Sequence, residues 1–326
     1  MHRTALFWAR TRRVLTGVFL TGIVLVLGSC GVASNAEASD GSTSKGIVED
    51  RRPSIVVSYS ILASIVKELV GDKFRVTSLI PNGLDVHEWE PSAQDIEHLF
   101  GAQLVVENGI GLEEGLAKVF AQARAKRIPF FTASDHIDVR HVGPGEGIPS
   151  EDPDQQTGAE DPHLWTDPVS MKSIVVALSD TIRGQFGSEL GSRAAELVSR
   201  LDGLDKAIAQ DVQSLPEDGR VLITGHESLG YFAQRYGFKL SGAIIPSLST
   251  QAGVSASDMA ALSAMVKKLG VRVIFTEMGT APKLAQSLAK ETGAKLVELS
   301  THALLTDGSY FSFMNSLAQT IVGGLR

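Results

Sequence analysis

From residue 54 onward, short apolar runs alternate with stretches whose apolar residues recur at helical spacing, the pattern of β–α units around a parallel sheet. Runs at 55–59, 74–80, 104–106 and 129–131 predict four strands, with helices at 61–70, 93–100 and 112–125 between them. The second half repeats the alternation, with strands at 220–224, 239–245, 271–275 and 296–299 and helices at 229–236, 257–269, 283–292 and 311–322. Two helical stretches, 168–186 and 189–215, lie between the halves. In the second of them Leu190, Ala194, Leu197, Leu201, Leu204 and Ile208 form an apolar stripe with charge between them, which predicts a long amphipathic helix. At ~1.5 Å per residue it would reach about 40 Å, enough to run along both halves as a rigid connector. The expected fold is therefore α/β, with two lobes that each hold a mostly parallel four-stranded sheet flanked by helices. The N-terminal lobe is 53–188, the connecting helix 189–215 and the C-terminal lobe 216–326.

The N-terminus departs from this pattern. Residues 1–29 carry Arg3, Arg10, Arg12 and Arg13, no acid, and an unbroken apolar run at 14–27, the basic and apolar regions of an export signal. The run falls short of the ~20 residues that span a bilayer. It ends at Leu27-Gly28-Ser29-Cys30, and Cys30 is the only cysteine in the chain. Small residues before a single cysteine resemble the bacterial lipobox, which implies lipidation of Cys30 and an extracytoplasmic protein anchored to the cell membrane. Arg12-Arg13 also resembles a twin-arginine signal, so the export route stays open between the two. A lone cysteine excludes an intrachain disulfide. Residues 30–52 are rich in small and polar groups and read as a flexible tether.

Loss of the four arginines in 1–29 leaves 26 basic residues against 37 acidic ones. Such a balance disfavours nucleic acid and favours cations. Seven of the 37 acidic residues lie in 134–160, where they are interspersed with glycine and proline and accompany His136 and His141. A loop this long is usually functional or disordered, and the two histidines read as incidental to a solvated acidic segment.

Ligands of open parallel sheets gather beyond the carboxyl ends of the strands, and three of the eight histidines fall in such loops. His87 follows the second strand. His163 lies in Asp161-Pro162-His163-Leu164-Trp165-Thr166-Asp167-Pro168, constrained by an Asp-Pro step on either side. His226 comes just after the first strand of the second lobe. Three imidazoles from separate loops suit Zn²⁺ better than Mn²⁺, which prefers carboxylates. Asp167 would cap the helix that opens with Pro168, His98 reads as a partly buried helical residue, and His2 leaves with the signal.

The segments DVHEWEPS, ENGIGLEEGL, DPHLWTDP, GHESLGYFAQRYG and FTEMGTAPKLAQSLAKETGAK are similar, in order and spacing, to those of the cluster A-I (cluster 9) metal-binding lipoproteins. These are solute receptors of ABC importers for zinc, manganese or ferrous iron, and the resemblance spans the chain from about residue 53. It implies that His87, His163 and His226 are metal ligands, that a histidine at the third position favours zinc, and that the partner is a membrane permease. The acidic loop stands where zinc-type members carry a histidine-rich one. The family's fourth ligand, an aspartate after the last strand, falls on Ser300 in this alignment. Three replacements follow in order of expectation: a water near Ser300, then His302, then Asp307.

The expected function is thus an extracytoplasmic receptor, acting as a monomer, that captures Zn²⁺ and presents it to an importer, with Mn²⁺ or Fe²⁺ as alternatives. A zinc-dependent hydrolase is the alternative from a different class, because three histidines and a water also hold catalytic zinc, and Glu227 or Glu88 would then serve as the base. No HExxH helix supports it. Cell adhesion is a third role, compatible with metal binding.

Overall fold

Strand β1 (Ser54–Tyr59) is buried along its whole length, as its Ile-Val-Val run requires of a central parallel strand covered on both faces. Around it the computed structural model, which describes residues 50–147 and 156–326, places β2 (Arg75–Ile80), β3 (Leu104–Glu107) and β4 (Phe130–Thr132) in the parallel order β2-β1-β3-β4. Helices α1 (Ser60–Val70), α2 (Ala93–Phe100) and α3 (Ala117–Ala125) connect them. Helix α2 starts at Ser92, whose hydroxyl accepts from the backbone of Asp95 while the Asp95 carboxylate accepts from the backbone of Ser92. The export signal, the tether and Cys30 lie outside the described residues.

Helix α4 (Pro168–Phe186) begins as expected, with Pro168 in the first turn and the Asp167 carboxylate accepting from the backbone of Val169 and Ser170. It ends at Gly187, which takes the left-handed conformation that closes a helix without Cβ strain. Helix α5 (Arg193–Val212) is shorter than the stretch 189–215 expected of the connector. Gly191 is left-handed with φ +63°, and the backbone breaks there before α5 starts. Its 20 residues therefore span about 30 Å rather than 40.

The second half comprises β5 (Val221–Thr224), α6 (Gly230–Tyr236), β6 (Lys239–Ala243), α7 (Ala256–Leu269), β7 (Val273–Thr276), α8 (Pro282–Thr292), β8 (Lys295–Glu298) and α9 (Tyr310–Leu325). Its strands form two parallel pairs, β5-β6 and β7-β8, in place of one four-stranded sheet. Strand β5 lies beside β7, but no ladder joins them, and the β5-β6 register slips between Leu222 and Ile223. Side chains still alternate across this layer. Ile223 and Ile274 pack with Leu262 of α7 and Leu288 of α8, while Leu222 and Phe275 face the core shared with α9.

That main core is continuous between the halves, from Ile55 and Val105 through Ile174 and Leu201 to Phe313 and Ile321. Helix α5 carries the continuity, because it packs on α1 and α4 on one side and on α6 and α9 on the other. The third helix opens as a 3-10 turn, Glu114–Leu116, before α3. The acidic segment is not structureless where it is described: it holds a 3-10 turn at Ala133–His136 and an antiparallel bridge between His141 and Glu160.

Candidate metal centre

Four loops from the carboxyl side of the strands converge between the two halves. The loop after β2 supplies His87, the turn before α4 supplies His163, the loop after β5 supplies His226 and the loop after β8 supplies His302. One ring nitrogen from each lies within 4.8 Å of the others. All four side chains are buried, His163 and His226 completely. His163 Nε2 and His226 Nε2 are 3.3 Å apart, and the Nε2 atoms of His87 and His302 are buried without a protein partner. Unpartnered buried ring nitrogens converging on one point are costly unless something binds them.

The opposite nitrogens face outward, each toward an oxygen. His163 Nδ1 lies 2.8 Å from Asp161 Oδ1, His302 Nδ1 3.0 Å from Thr301 Oγ1, His226 Nδ1 3.2 Å from Glu277 Oε1 and His87 Nδ1 3.8 Å from Glu114 Oε1. The last is too long for a hydrogen bond. At His163 and His302 these outer oxygens fix the tautomer and leave Nε2 toward the centre, whereas His226 Nδ1 makes no hydrogen bond in spite of its 3.2 Å approach to Glu277.

Local backbone bonds hold each histidine. Asp85 accepts from the His87 N–H at 2.9 Å, and Asp161 accepts from the His163 N–H at the same distance. The Asp161 carboxylate also receives Arg140 at 3.0 Å, and Gly230 leaves room for that pair, since a Cβ there would sit 2.0 Å from Asp161 Oδ2. Glu277 joins the two loops of the second half. Its carboxylate accepts from the His226 N–H, the Ser228 hydroxyl and the Thr301 hydroxyl. Trp165 links the halves directly: its indole donates to the Thr301 carbonyl at 2.9 Å, and its ring packs against both His163 and His302.

These contacts set the charge of the site. Burial opposes ionisation of Glu277, but His226 beside it outweighs this and holds its carboxyl far below the usual range. Burial likewise disfavours a charged His226, yet the Glu277 carboxylate raises it above its ordinary value. Burial, and then the charge of His226, push His163 and His302 well below theirs. Charge in the metal-free site is thus favoured on His226, beside Glu277, over His163 or His302.

Sequence reasoning named all four histidines but put a water near Ser300 ahead of His302. Ser300 is exposed and its hydroxyl turns away to the Ala303 carbonyl at 2.7 Å. Asp307 is also exposed and bonds Ser309 and Ser312 at the start of α9. The last loop is pinned by Asn82, whose side-chain amide pairs with both the N–H and the carbonyl of Leu304, and His302 in this loop is buried. His98 is exposed rather than partly buried, because Leu99 takes the inner face of α2. His136 stacks on Phe131 and His141 is exposed, so neither joins the cluster. Glu277 was missed, although its place just after β7 follows the same strand-end rule that found His226.

The hydrolase reading does not survive. His302 stands beside the other three rings, Glu88 is exposed, and Glu227 lines a separate small cavity with Arg140 and Glu146. Burial raises the Glu227 carboxyl to about 8.

Residues 55–324 match the model of the periplasmic zinc-uptake complex component A family. The zinc-binding protein TroA of Treponema pallidum is 30% identical over 274 residues, covering 82% of each chain. Its solved structure superposes with a TM-score of 0.70 over 84% of this chain and 99% of that one, at 27% identity. The manganese-binding lipoprotein MntA of Halalkalibacterium halodurans is 26% identical over 96% of this chain and 99% of its own. The iron transporter substrate-binding lipoprotein MtsA of Streptococcus pyogenes is 24% identical over 96% and 97%. With buried imidazoles gathered at the strand ends of an α/β fold that matches over nearly its whole described length, the chain belongs to the zinc-uptake component A family, the metal-binding substrate receptors of ABC importers rather than enzymes.

Proposed function

We propose that the protein is a zinc receptor in which His87, His163, His226 and His302 form a four-nitrogen shell, and that it delivers the ion to a membrane permease. The convergence of four buried ring nitrogens carries the reading. Nitrogen ligands at ~2.0 to 2.1 Å in a tetrahedron suit Zn²⁺, and the cluster offers no carboxylate of the kind that serves Mn²⁺. His302 completes the shell in place of a water near Ser300. The same proposal makes the protein an extracytoplasmic monomer held at the membrane by a lipid on Cys30, in keeping with the lipoprotein names of its relatives. No helix among the described residues is long and apolar enough to cross a membrane.

The test is elemental analysis of the chain as expressed, followed by titration of the stripped protein with Zn²⁺, Mn²⁺ and Fe²⁺. About one tightly held zinc per chain is expected, with Mn²⁺ binding at least a hundredfold weaker, and His302→Ala should weaken zinc binding at least tenfold. Mn²⁺ binding as tight as Zn²⁺ would overturn the zinc assignment, and an unaffected His302→Ala would return the fourth position to water.

A further inference from the structure

A cavity of about 360 Å³ lies against the histidine cluster on one side. Exposed Glu114, Glu160 and Gln251 stand at its rim, and buried His87, Ser247 and Ser249 at its floor. Of the four clustered histidines, His87 lines this cavity and the other three do not. The wall is thin here for a further reason. The carboxylates beside His163 and His226 are buried with their rings, whereas the Glu114 side chain beside His87 is 44% exposed.

Glu114 also spans the two halves. One carboxylate oxygen accepts from the Ser249 hydroxyl at 2.8 Å and the other from Gln251 Nε2 at 3.2 Å, while the same Gln251 amide donates to the His87 carbonyl at 2.6 Å. The turn that carries Glu114 is seated on the His87 loop, because a Cβ at Gly115 would lie 2.2 Å from the Trp89 carbonyl oxygen. One exposed carboxylate therefore fastens the first-half turn, the His87 loop and the loop after β6 over the cavity.

We propose that this cavity is the passage by which a divalent cation enters and leaves the site, and that Glu114 is a positioning residue that latches it through Ser249 and Gln251. The inference rests on the metal-receptor reading. A latch present with and without the ion stabilises the closed form of both states equally, so its removal speeds exchange in both directions and leaves the equilibrium alone. A residue that only supports His87 as a ligand would instead change the affinity. The pair of rates separates the two roles.

Zn²⁺ release to a chromophoric chelator and Zn²⁺ uptake by the stripped chain are measured by stopped flow for the parent, Glu114→Ala, Gln251→Ala, the double variant and Lys267→Ala. Loss of two hydrogen bonds to a half-exposed carboxylate should raise both rates roughly tenfold in Glu114→Ala, with the dissociation constant changed less than about twofold. Gln251→Ala should behave alike and add little in the double variant, because the two residues share one contact. Lys267→Ala, which removes an exposed ion pair with Glu291 between α7 and α8, should leave both rates near the parent's. Unchanged rates in Glu114→Ala, a faster release with weaker affinity, or equal acceleration by Lys267→Ala would each overturn the proposal. Failure of the parent chain to bind Zn²⁺ at all would instead refute the receptor reading.

Discussion

His226 and Glu277 show how one residue pair sets the pH range of the site. The carboxylate raises the imidazole above its ordinary value of 6.5, so a proton should compete with the cation for His226 at higher pH than at an ordinary imidazole. The sign follows directly: a raised histidine holds its proton at higher pH, and metal affinity must fall as pH drops through that raised value. The loss should therefore begin above pH 6.5, at about tenfold per pH unit once the ring is protonated. Calorimetry in buffers of different ionisation enthalpy should detect about one proton released per ion just below that value. In Glu277→Gln the release should vanish near neutral pH. Affinity independent of pH between 6 and 8 would contradict the pairing. His226 itself was legible in the sequence because it directly follows a short apolar strand. Glu277 was not, since nothing in Phe275-Thr276-Glu277 says that its carboxylate turns back under a loop some 50 residues earlier.

At the scale of elements, the loops after β5 and β7 are packed so closely that a single methyl group should part them. A Cβ at Gly225 would lie 2.1 Å from Thr280 Oγ1 and 2.7 Å from Glu277 Cγ. Gly225→Ala should therefore destabilise the fold by about 1 to 3 kcal/mol, as overpacking does, and weaken metal binding by displacing Glu277 from His226. Gly203 on α5 has nothing within 4 Å of the added atom. Gly203→Ala should stabilise by about 0.5 to 1 kcal/mol through helix propensity and leave binding unchanged. Denaturant unfolding of the two variants, with zinc titration alongside, checks both. The strands themselves were readable, as buried parallel strands are nearly continuous apolar runs. The split of the second layer into two pairs was not, because apolar runs do not record whether neighbouring strands exchange hydrogen bonds.

Over the whole molecule, the shared core and α5 make the two halves a poor hinge. Residues 50–326 behave as one compact unit, and α5 packs on helices of both halves. Ion binding should then tighten loops without swinging lobes, so small-angle scattering of stripped and zinc-loaded protein should give the same radius of gyration within error. The ion should still stabilise strongly, because it binds the folded state alone. At a free concentration a thousandfold above the dissociation constant the gain is about 4 kcal/mol, which raises the melting midpoint of a chain this size by roughly 7 °C. A large change in radius, or no thermal shift, would contradict this picture.

By itself, the sequence determined the order of strands and helices, three histidines at strand ends and the absence of any internal disulfide. Each of these is local, set by residue spacing or by counting. Tertiary structure alone decided which group faces the other three rings. Asn82 and Leu304 are 222 residues apart and pair through two hydrogen bonds in the loop that buries His302 and exposes Ser300. The outer oxygens of Asp161, Glu277 and Thr301 follow the same logic. A ligand's neighbours depend on where separate loops meet, and that is fixed only once both halves have packed on α5.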